Sequence, residues 1–351
     1  MKTRLRTVRL DLAEPLRISR STMTAREAVW LTVEHQGLSG HGEAVSSVYY
    51  GLDADTLVRL LSAVDLGRYG DPESALEALG EGRLAPAKSV PPAVTAAVES
   101  ALLDLAGKRA GLPVHRLLGI PEPPVAETAR TIGITSPSHA AAEARRLVAS
   151  GFRVIKVKAG TPDPEDDVER VRVVRDAAPG ARLLLDPNGA WTVRQAEALL
   201  PRFADLGVEA VEQPLAPGDL EALGALAERS PLPVIADEDA VSPDDVRRLA
   251  GRVHGVNVKL AKCGGVRAAL RIAESIDGSG TELMLGCLTA STLGLAPAVH
   301  LAGRARWTDL DGHLLLARDP WSGIGGADGV VRPSGLPGLG VEEVVARADV
   351  A

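Results

Sequence analysis

The strongest constraint on the fold is a regular alternation of strand-like and helix-like segments that begins at residue 125. The strands are predicted to end near Gly133, Lys158, Asp186, Glu212, Asp237, Lys259, Gly286 and Asp309. Successive ends are 22 to 28 residues apart, about the length that one strand, one helix and two loops occupy. Eight such strands close a parallel α/β barrel, whereas the alternative of an open doubly wound sheet lacks its nucleotide-binding fingerprint. We therefore predict an α/β fold with a TIM-type barrel over residues 123–315.

The residues before this alternation show a different pattern. Short alternating strands are predicted over residues 2–12 and 26–48. Amphipathic helices are predicted over residues 53–63, 71–80 and 91–110. The proline-rich segment Pro121–Pro124 is a natural boundary. A barrel of about 250 residues would also leave about a hundred of the 351 residues over. We predict an α+β domain over residues 1–122, which the C-terminal tail, residues 316–351, joins.

The charge and the aromatic content exclude one class of partner. The chain has 39 basic and 46 acidic residues, a formal net charge of −7. A nucleic-acid-binding protein needs a basic face, and binding of single strands also needs aromatic side chains on which bases stack. With four Trp, three Tyr and two Phe in the whole chain, such a surface is not expected. We predict a small-molecule substrate and no nucleic-acid partner.

Three further features concern the cellular setting. Residues 283–303 carry no charged side chain, but Gly, Ser, Thr and Pro297 interrupt the segment, so we predict a buried strand and helix and no membrane span. The N-terminus has no apolar run typical of a signal peptide. The two cysteines, Cys263 and Cys287, form neither a disulfide framework nor a zinc motif. A cytoplasmic protein is therefore expected.

Charged side chains occupy the predicted ends of several strands. Residues two apart on a strand point to the same face, so Lys156 and Lys158 share a face at the end of the second strand. Because a barrel gathers the carboxyl ends of its strands at one mouth, these side chains are expected to meet there. The other predicted pairs and single residues are Asp186 with Asn188, Glu212, Asp237, Asn257 with Lys259, and Asp309 with Asp311.

Three carboxylates on consecutive strands are costly to desolvate unless they pair or bind a metal. Asp186, Glu212 and Asp237 offer the hard oxygen ligands that Mg²⁺ prefers. Lys158 and Lys259 would face each other across the mouth, where neighbouring positive charge would favour a neutral amine that acts as a base. Each acid alone is better explained as a helix cap or surface ion pair, but the joint pattern predicts catalysis. A barrel that binds a small ligand without turnover is the alternative.

Motifs along nearly the whole chain resemble the enolase superfamily, in its muconate-lactonising subgroup. They are Gly40-His-Gly-Glu43, Lys156-Val-Lys158, Asp186-Pro-Asn188, Glu212-Gln-Pro214, Ala236-Asp237-Glu238 and Asn257-Val-Lys259. The resemblance implies an α+β capping domain on a (β/α)7β barrel and one Mg²⁺ per subunit on the three acids. It also implies the chemistry of a lysine base with a metal-stabilised enolate.

Within that superfamily, Asp309-Leu-Asp311 is similar to the paired aspartates with which dipeptide epimerases hold the α-ammonium group of their substrate. The implied reaction is a 1,1-proton transfer at the α-carbon of the C-terminal residue of an L,L- or L,D-dipeptide. Lys158 or Lys259 would remove the proton and the other would return one on the opposite face. Lys156 would hold the carboxylate oxygen and depress the pKa of Lys158. An N-acylamino-acid racemase, o-succinylbenzoate synthase or cycloisomerase is the alternative, and none of these needs two acids for an ammonium group.

The resemblance also implies a set of substrate contacts and a homo-oligomer. The contacts are Asp309, Asp311, Asn188, Thr131, Ser21, Arg20, Tyr50, Cys287 and Thr289. Two positions depart from the Ala-Glu epimerase pattern. Ser21 replaces the arginine that grips a glutamate side chain there, with Arg20 one place earlier, and Ala290 stands where relatives often carry Glu. The dipeptide side chains are therefore left open.

Overall fold

The computed structural model describes residues 1–84 and 90–344. Its N-terminal part contains an antiparallel sheet in the order β1-β2-β3, packed against helices. The elements are β1 (Lys2–Ile18), β2 (Ser21–His35), β3 (Leu38–Val45), α1 (Ala54–Ser62), α2 (Pro72–Gly80), α3 (Pro92–Ala110) and α4 (Val114–Leu117). The three predicted helices are present, but β1 and β2 are longer than predicted. Beyond a bulge between Asp11 and Leu16, their pairing continues to Ile18 and Ser21.

Helix α3 is covered on almost every side because it lies against the sheet of this first part. Residues Gly40 and Gly42 allow that close approach. A Cβ atom at Gly40 would lie 2.1 Å from the carbonyl oxygen of Ala101, and one at Gly42 would lie 2.0 Å from that of Ala97. The two glycines of the Gly40-His-Gly-Glu43 motif are thus required by packing, and they place Glu43 at the end of β3.

The second part begins with the short strand β4 (Ala126–Glu127) and continues as an eight-stranded parallel sheet, in which each of the first seven strands is followed by a helix. Its strands are β5 (Ala129–Ile132), β6 (Val154–Lys158), β7 (Arg182–Asp186), β8 (Val208–Glu212), β9 (Val234–Ala236), β10 (Gly255–Lys259), β11 (Glu282–Gly286) and β12 (Trp307–Asp309). Its helices are α5 (Pro137–Ala149), α6 (Pro164–Ala177), α7 (Val193–Asp205), α8 (Leu220–Arg229), α9 (Pro243–Leu249), α10 (Leu260–Cys263), α11 (Val266–Ile276) and α12 (Thr292–Val299).

Side chains join the first and last strands of this sheet. The N–H of Leu310, directly after β12, donates to Thr128 Oγ1, and the N–H of Thr131 on β5 donates to Asp311 Oδ2, at 2.8 and 2.7 Å. The sheet therefore forms a barrel of the (β/α)7β type, which confirms the predicted fold class. The strand and helix predicted over residues 283–303 are β11 and α12. No described helix has the length and apolar character needed to cross a membrane.

One layer of the barrel interior determines where the functional side chains point. Seven buried residues form one cluster in that interior: Ala129, Val154, Leu184, Ala210, Ile235, Met284 and Trp307. Because side chains alternate along a strand, residues two positions further on also point inward. In this way Val154 is followed by Lys156, Leu184 by Asp186, and Ile235 by Asp237. The carboxyl end of the barrel is consequently lined with charge.

The C-terminal segment leaves the barrel after Asp309 and contacts both parts of the molecule. Its strands are β13 (Trp321–Ser322), β14 (Val330–Val331) and β15 (Glu342–Glu343). Strand β14 pairs with β4, whereas the N–H of Leu339 donates to the buried Asp104 of α3 at 2.9 Å. The end of the predicted tail, residues 345–351, lies outside the described residues, and the domain limits 1–122, 123–315 and 316–351 stay predictions.

Candidate active site

Six charged side chains from five consecutive strands meet at the carboxyl end of the barrel. Lys156 Nζ lies 3.1 Å from Asp186 Oδ2 and 2.6 Å from Glu212 Oε2. Lys158 Nζ donates to Asp186 Oδ2 at 2.5 Å, and Lys259 Nζ donates to Asp237 Oδ2 at 2.7 Å. All three carboxylates are buried. The sequence prediction that these strand ends converge is correct in the structure.

The electrostatics of this cluster reflect many charges in little space. Burial, together with the nearby Asp186 and Asp237, raises the pKa of Glu212 to about 7. Burial also acts to raise the pKa of Asp186, but Lys156 and Lys158 hold it below its usual value. Glu212 is thus the one of the three carboxyl groups whose charged form is, on balance, disfavoured by burial.

The state of Lys259 differs from the sequence expectation of a neutral amine. Burial acts to lower its pKa, but Asp237 and Glu212 raise that pKa above the usual lysine value. The physical reason is direct contact, because the carboxylates expected to bind a cation are instead bound by ammonium groups. Lys259 is therefore an ammonium group in this arrangement.

Lys158 and Lys259 line one cavity of about 460 Å³ between the barrel mouth and the N-terminal part. Strands β6 and β10, which carry them, are four positions apart in a ring of eight, so the two lysines stand on opposite sides of the mouth. A group placed over the three acids would have one amine on each side. This is the arrangement that a two-base proton transfer requires.

Most of the predicted substrate contacts line the same cavity. These are Arg20, Ser21, Tyr50, Asn188, Cys287 and Thr289. Arg20 connects two parts of the wall, because its Nη2 lies 2.7 Å from Glu238 Oε1 and its Nη1 donates to the Asn188 carbonyl oxygen at 3.0 Å. Its guanidinium also lies over the Tyr49 ring. The cavity roof is formed by the tip of the β1–β2 hairpin and by residues 46–50.

The remaining predicted contacts, Asp309, Asp311 and Thr131, lie beside this cavity rather than on its lining. Asp309 Oδ2 accepts from Lys156 at 2.8 Å, but Asp309 Oδ1 is buried and has no hydrogen-bond partner among the described residues. Asp311 Oδ2 accepts from the Thr131 N–H and lies 3.3 Å from Arg130 Nη1. The two aspartates are therefore not equivalent, since Asp309 keeps a free oxygen whereas Asp311 is already held.

The acids fit a Mg²⁺ ion by their chemistry. Asp186, Glu212 and Asp237 are buried hard oxygen donors on adjacent strands, and burial raises the pKa of Glu212, which a bound cation would lower again. No three acidic, histidine or cysteine side chains of the described residues already stand together as a ligand set, because lysines occupy the space between the carboxylates. A divalent cation would take over the charge compensation that these lysines provide.

Comparisons with known proteins agree with this site. Residues 1–119 match the family described as the mandelate racemase / muconate lactonizing enzyme N-terminal domain, and residues 139–344 match the enolase C-terminal domain-like family. The chain is 32% identical over 343 residues to a hydrophobic dipeptide epimerase of Roseobacter litoralis, with 97% of this chain and 98% of that protein covered. It is 30% identical over 337 residues to an L-Ala-D/L-Glu epimerase of Bacteroides thetaiotaomicron, with 95% of this chain and 86% of that protein covered.

The chain belongs to the dipeptide epimerase family of the enolase superfamily. Among solved structures, it resembles the dipeptide epimerase of Enterococcus faecalis in complex with Mg and the dipeptide L-Leu-L-Tyr. The TM-score is 0.91 at 30% sequence identity, and the alignment covers 97% of this chain and 99% of that one. The similarity extends over the N-terminal part as well as the barrel, so the family resemblance found in the sequence is confirmed.

Sequence reasoning did not assign a role to Lys262, a further lysine in the site of this family member. Its Nζ donates to Asp237 Oδ1 at 2.6 Å and to the carbonyl oxygen of Asn257 at 2.8 Å. Lys262 lies three residues after Lys259, within the short helix α10. The i, i+3 spacing of Lys262 from Lys259 at the strand end is the sequence feature that could have indicated this role. Its contact with Asp237 depends on the turn between β10 and α10, which the pattern of residues does not specify.

Proposed function

We propose that the chain is a Mg²⁺-dependent dipeptide epimerase that inverts the α-carbon of the C-terminal residue through an enolate. The observation that carries this proposal is the placement of Lys158 and Lys259 on opposite sides of one cavity, above three buried carboxylates. An isomerase that inverts a stereocentre needs a proton acceptor on one face and a proton donor on the other. The two lysines supply both.

The reaction begins with a dipeptide whose carboxylate lies over Asp186, Glu212 and Asp237. Bound Mg²⁺ would supply the positive charge that stabilises the added negative charge on this carboxylate. The neutral amine of one lysine takes the α-proton, and the ammonium group of the other gives a proton to the opposite face. Lys156, which lies among the acids, adds positive charge beneath the carboxylate. Reversal exchanges the roles of Lys158 and Lys259.

The choice of a dipeptide over an N-acylated amino acid rests on Asp309. Its Oδ1 atom is buried without a partner, and a buried acceptor without a partner costs free energy. The ammonium group of a free dipeptide would supply the missing donor and charge, whereas an acylated nitrogen has no positive charge to offer. The site therefore favours a substrate with a free amino terminus.

The test is hydrogen exchange in D₂O. Purified enzyme with Mg²⁺ is incubated with a pooled dipeptide library, and the α-carbon of the C-terminal residue is analysed for deuterium by mass spectrometry. Deuterium in a subset of dipeptides supports the proposal and identifies the accepted side chains. A variant with both Lys158→Ala and Lys259→Ala, and enzyme treated with a chelator, are the controls and should give no exchange.

Two outcomes would contradict the proposed activity. Exchange or turnover of N-acyl amino acids, without exchange in any dipeptide, would favour the N-acylamino-acid racemase class. Binding of dipeptides without exchange would favour a non-catalytic barrel.

We also propose that the protein is a homo-oligomer in the cytoplasm. The two free cysteines, Cys263 and Cys287, support a reducing compartment. Light scattering after size-exclusion chromatography tests the oligomer.

A further inference from the structure

Arg26 differs from the other cationic side chains around the active site. Six of these have a carboxylate within hydrogen-bonding or ion-pair distance: Lys156, Lys158, Lys259, Lys262, Arg20 and Arg130. Arg26 lies on β2 and lines the cavity, but it has no ion pair with any acidic residue of the described ranges 1–84 and 90–344. It is the cation of this cavity for which the described protein supplies no countercharge.

The hydrogen bonds of Arg26 leave much of its guanidinium unused. Nη1 donates to the Ser46 carbonyl oxygen at 2.6 Å, and Nη2 donates to Met23 Sδ at 3.2 Å. Nε is buried and has no partner among the described residues. A guanidinium has five N–H groups, and a thioether sulfur is a weak acceptor. One N–H on each of Nη1 and Nη2 is therefore free for a ligand. The distance between these two N–H groups matches the distance between the two oxygens of a carboxylate.

The nearby Cys287 does not compensate this charge. Burial, with Asp309 and Asp311 close by, raises the pKa of the Cys287 thiol, so the thiol is neutral near pH 7. Burial in turn desolvates the charged form of Arg26 and lowers its pKa. An uncompensated, desolvated guanidinium destabilises the fold unless a ligand supplies the missing negative charge.

We propose that Arg26 binds an acidic side chain of the substrate, so that this chain acts on dipeptides that carry aspartate or glutamate. The inference rests on the proposed dipeptide epimerase function and specifies its substrate class. The main-chain carboxylate of the dipeptide belongs over Asp186, Glu212 and Asp237, so a second carboxylate is needed to reach Arg26. Arg20 is less suited to this role, because its guanidinium is already bound to Glu238.

The test compares substrates that differ only in charge. Rates of epimerisation are measured for Ala-Glu against Ala-Gln and for Glu-Ala against Gln-Ala, with the wild-type enzyme, Arg26→Gln and Arg26→Lys. The first pair places the acidic side chain on the C-terminal residue and the second places it on the N-terminal residue. Arg9→Gln is the matched control, since Arg9 carries the same group on the neighbouring strand β1 and is exposed, away from the cavity.

We expect wild-type kcat/KM to favour the acid over the amide by ~10- to 100-fold in one of the two pairs, the usual range for a hydrogen bond to a charged group. Arg26→Gln should remove that preference, Arg26→Lys should keep part of it, and Arg9→Gln should leave it unchanged. If Arg26 only ties β2 to Ser46, Arg26→Gln lowers both rates by the same factor and leaves the ratio intact, which would overturn the inference. A wild-type enzyme that prefers amides or shows no preference would also overturn it. Absence of exchange in every dipeptide would instead refute the proposed function.

Discussion

At the scale of single residues, the two cavity lysines should be separable by the substrate epimer that each one deprotonates. Lys158 and Lys259 stand on opposite sides of the mouth, so each faces one side of the α-carbon. We expect Lys158→Ala and Lys259→Ala each to reduce epimerisation by about 10³-fold or more, since general acid–base catalysis contributes about that much. Each variant should still exchange the α-proton of one epimer with D₂O, and the two variants should select opposite epimers.

This prediction is checked by NMR with separate L,L and L,D substrates in D₂O. The control is Arg9→Gln on β1, which lies away from both lysines and should epimerise at the wild-type rate. Full activity in either lysine variant, or exchange of both epimers by one variant, would contradict the two-base assignment.

A second residue-scale prediction concerns Asp309 and the amino terminus of the substrate. In Asp309→Asn the side chain still offers one oxygen to Lys156, but its amide N–H₂ then takes the place of the free Oδ1. Two donors would face each other, so we expect kcat/KM for free dipeptides to fall by ~10- to 100-fold, mainly through KM. The measurement is the rate ratio of a dipeptide to its N-acetyl derivative. An unchanged ratio would remove Asp309 from ammonium recognition.

At the scale of elements, the end of α12 is held by a neutral histidine. His300 Nδ1 accepts the backbone N–H of His115 in α4 at 3.1 Å, and its Nε2 lies 3.1 Å from the Leu339 carbonyl oxygen, to which it donates. Burial lowers the pKa of His300 to about 4, and no acidic side chain among the described residues forms an ion pair that would stabilise its protonated form. This single ring therefore joins the barrel, α4 and the C-terminal segment only while it is unprotonated.

The pH dependence of stability follows from this pKa. Unfolded His300 takes up a proton near pH 6.5, whereas the folded protein resists until about pH 4. Its contribution is thus complete above pH 6.5 and is lost as the pH falls from 6.5 to 4, by up to about 3 kcal/mol in the free energy of unfolding. Urea denaturation at several pH values measures it. His300→Gln, whose amide can replace both hydrogen bonds, should flatten the profile between pH 6.5 and 4, and an equally steep profile in that variant would show that other groups are responsible.

The elements of the barrel were accessible to sequence reasoning because local patterns encode them. Six of the eight predicted strand ends coincide with the observed ones. The other two, Gly133 and Asp237, lie one residue beyond the observed ends of β5 and β9. The hairpin of β1 and β2 was predicted too short for a physical reason. Its tip, around Arg20, has polar residues on both faces because it covers a cavity, so the alternation that indicates a strand is missing there.

At the scale of the whole molecule, what the sequence did not predict is the pairing of distant groups. Arg20 meets Glu238 across the interface between hairpin and barrel, and Arg130 meets Asp311 across the barrel seam. The sequence indicates Arg20 and Asp311 as substrate contacts, but it does not indicate that Glu238 and Arg130 are their partners. The strand-end pattern and the resemblance to a known family identified the acids and lysines of the site. Which charged side chains at the barrel mouth find a partner, and that Arg26 finds none among the described residues, depends on how the N-terminal part packs on the barrel.

One buried carboxylate lies at the contact between the two parts. Glu43, at the end of β3, accepts hydrogen bonds from Trp30 Nε1 at 2.7 Å and from the backbone N–H and Oγ of Ser291 at 2.9 and 2.5 Å. Ser291 precedes α12 in the barrel, so Glu43 connects the N-terminal sheet to the loop that carries Cys287 and Thr289. The approach is close, since a Cβ atom at Gly294 would lie 2.5 Å from Glu43 Oε1.

We therefore predict that Glu43→Ala destabilises the molecule as a unit. The change leaves the Trp30 and Ser291 donors without an acceptor and opens a cavity, so the free energy of unfolding should fall by about 3 kcal/mol or more. Ser291→Ala removes only the hydroxyl donor and should cost about 1 kcal/mol. Because both parts share this contact, calorimetry should show one transition at a lower temperature in Glu43→Ala. Two separate transitions, or a loss no larger than in Ser291→Ala, would mean that the N-terminal part and the barrel are stabilised independently and that the cavity between them does not depend on Glu43.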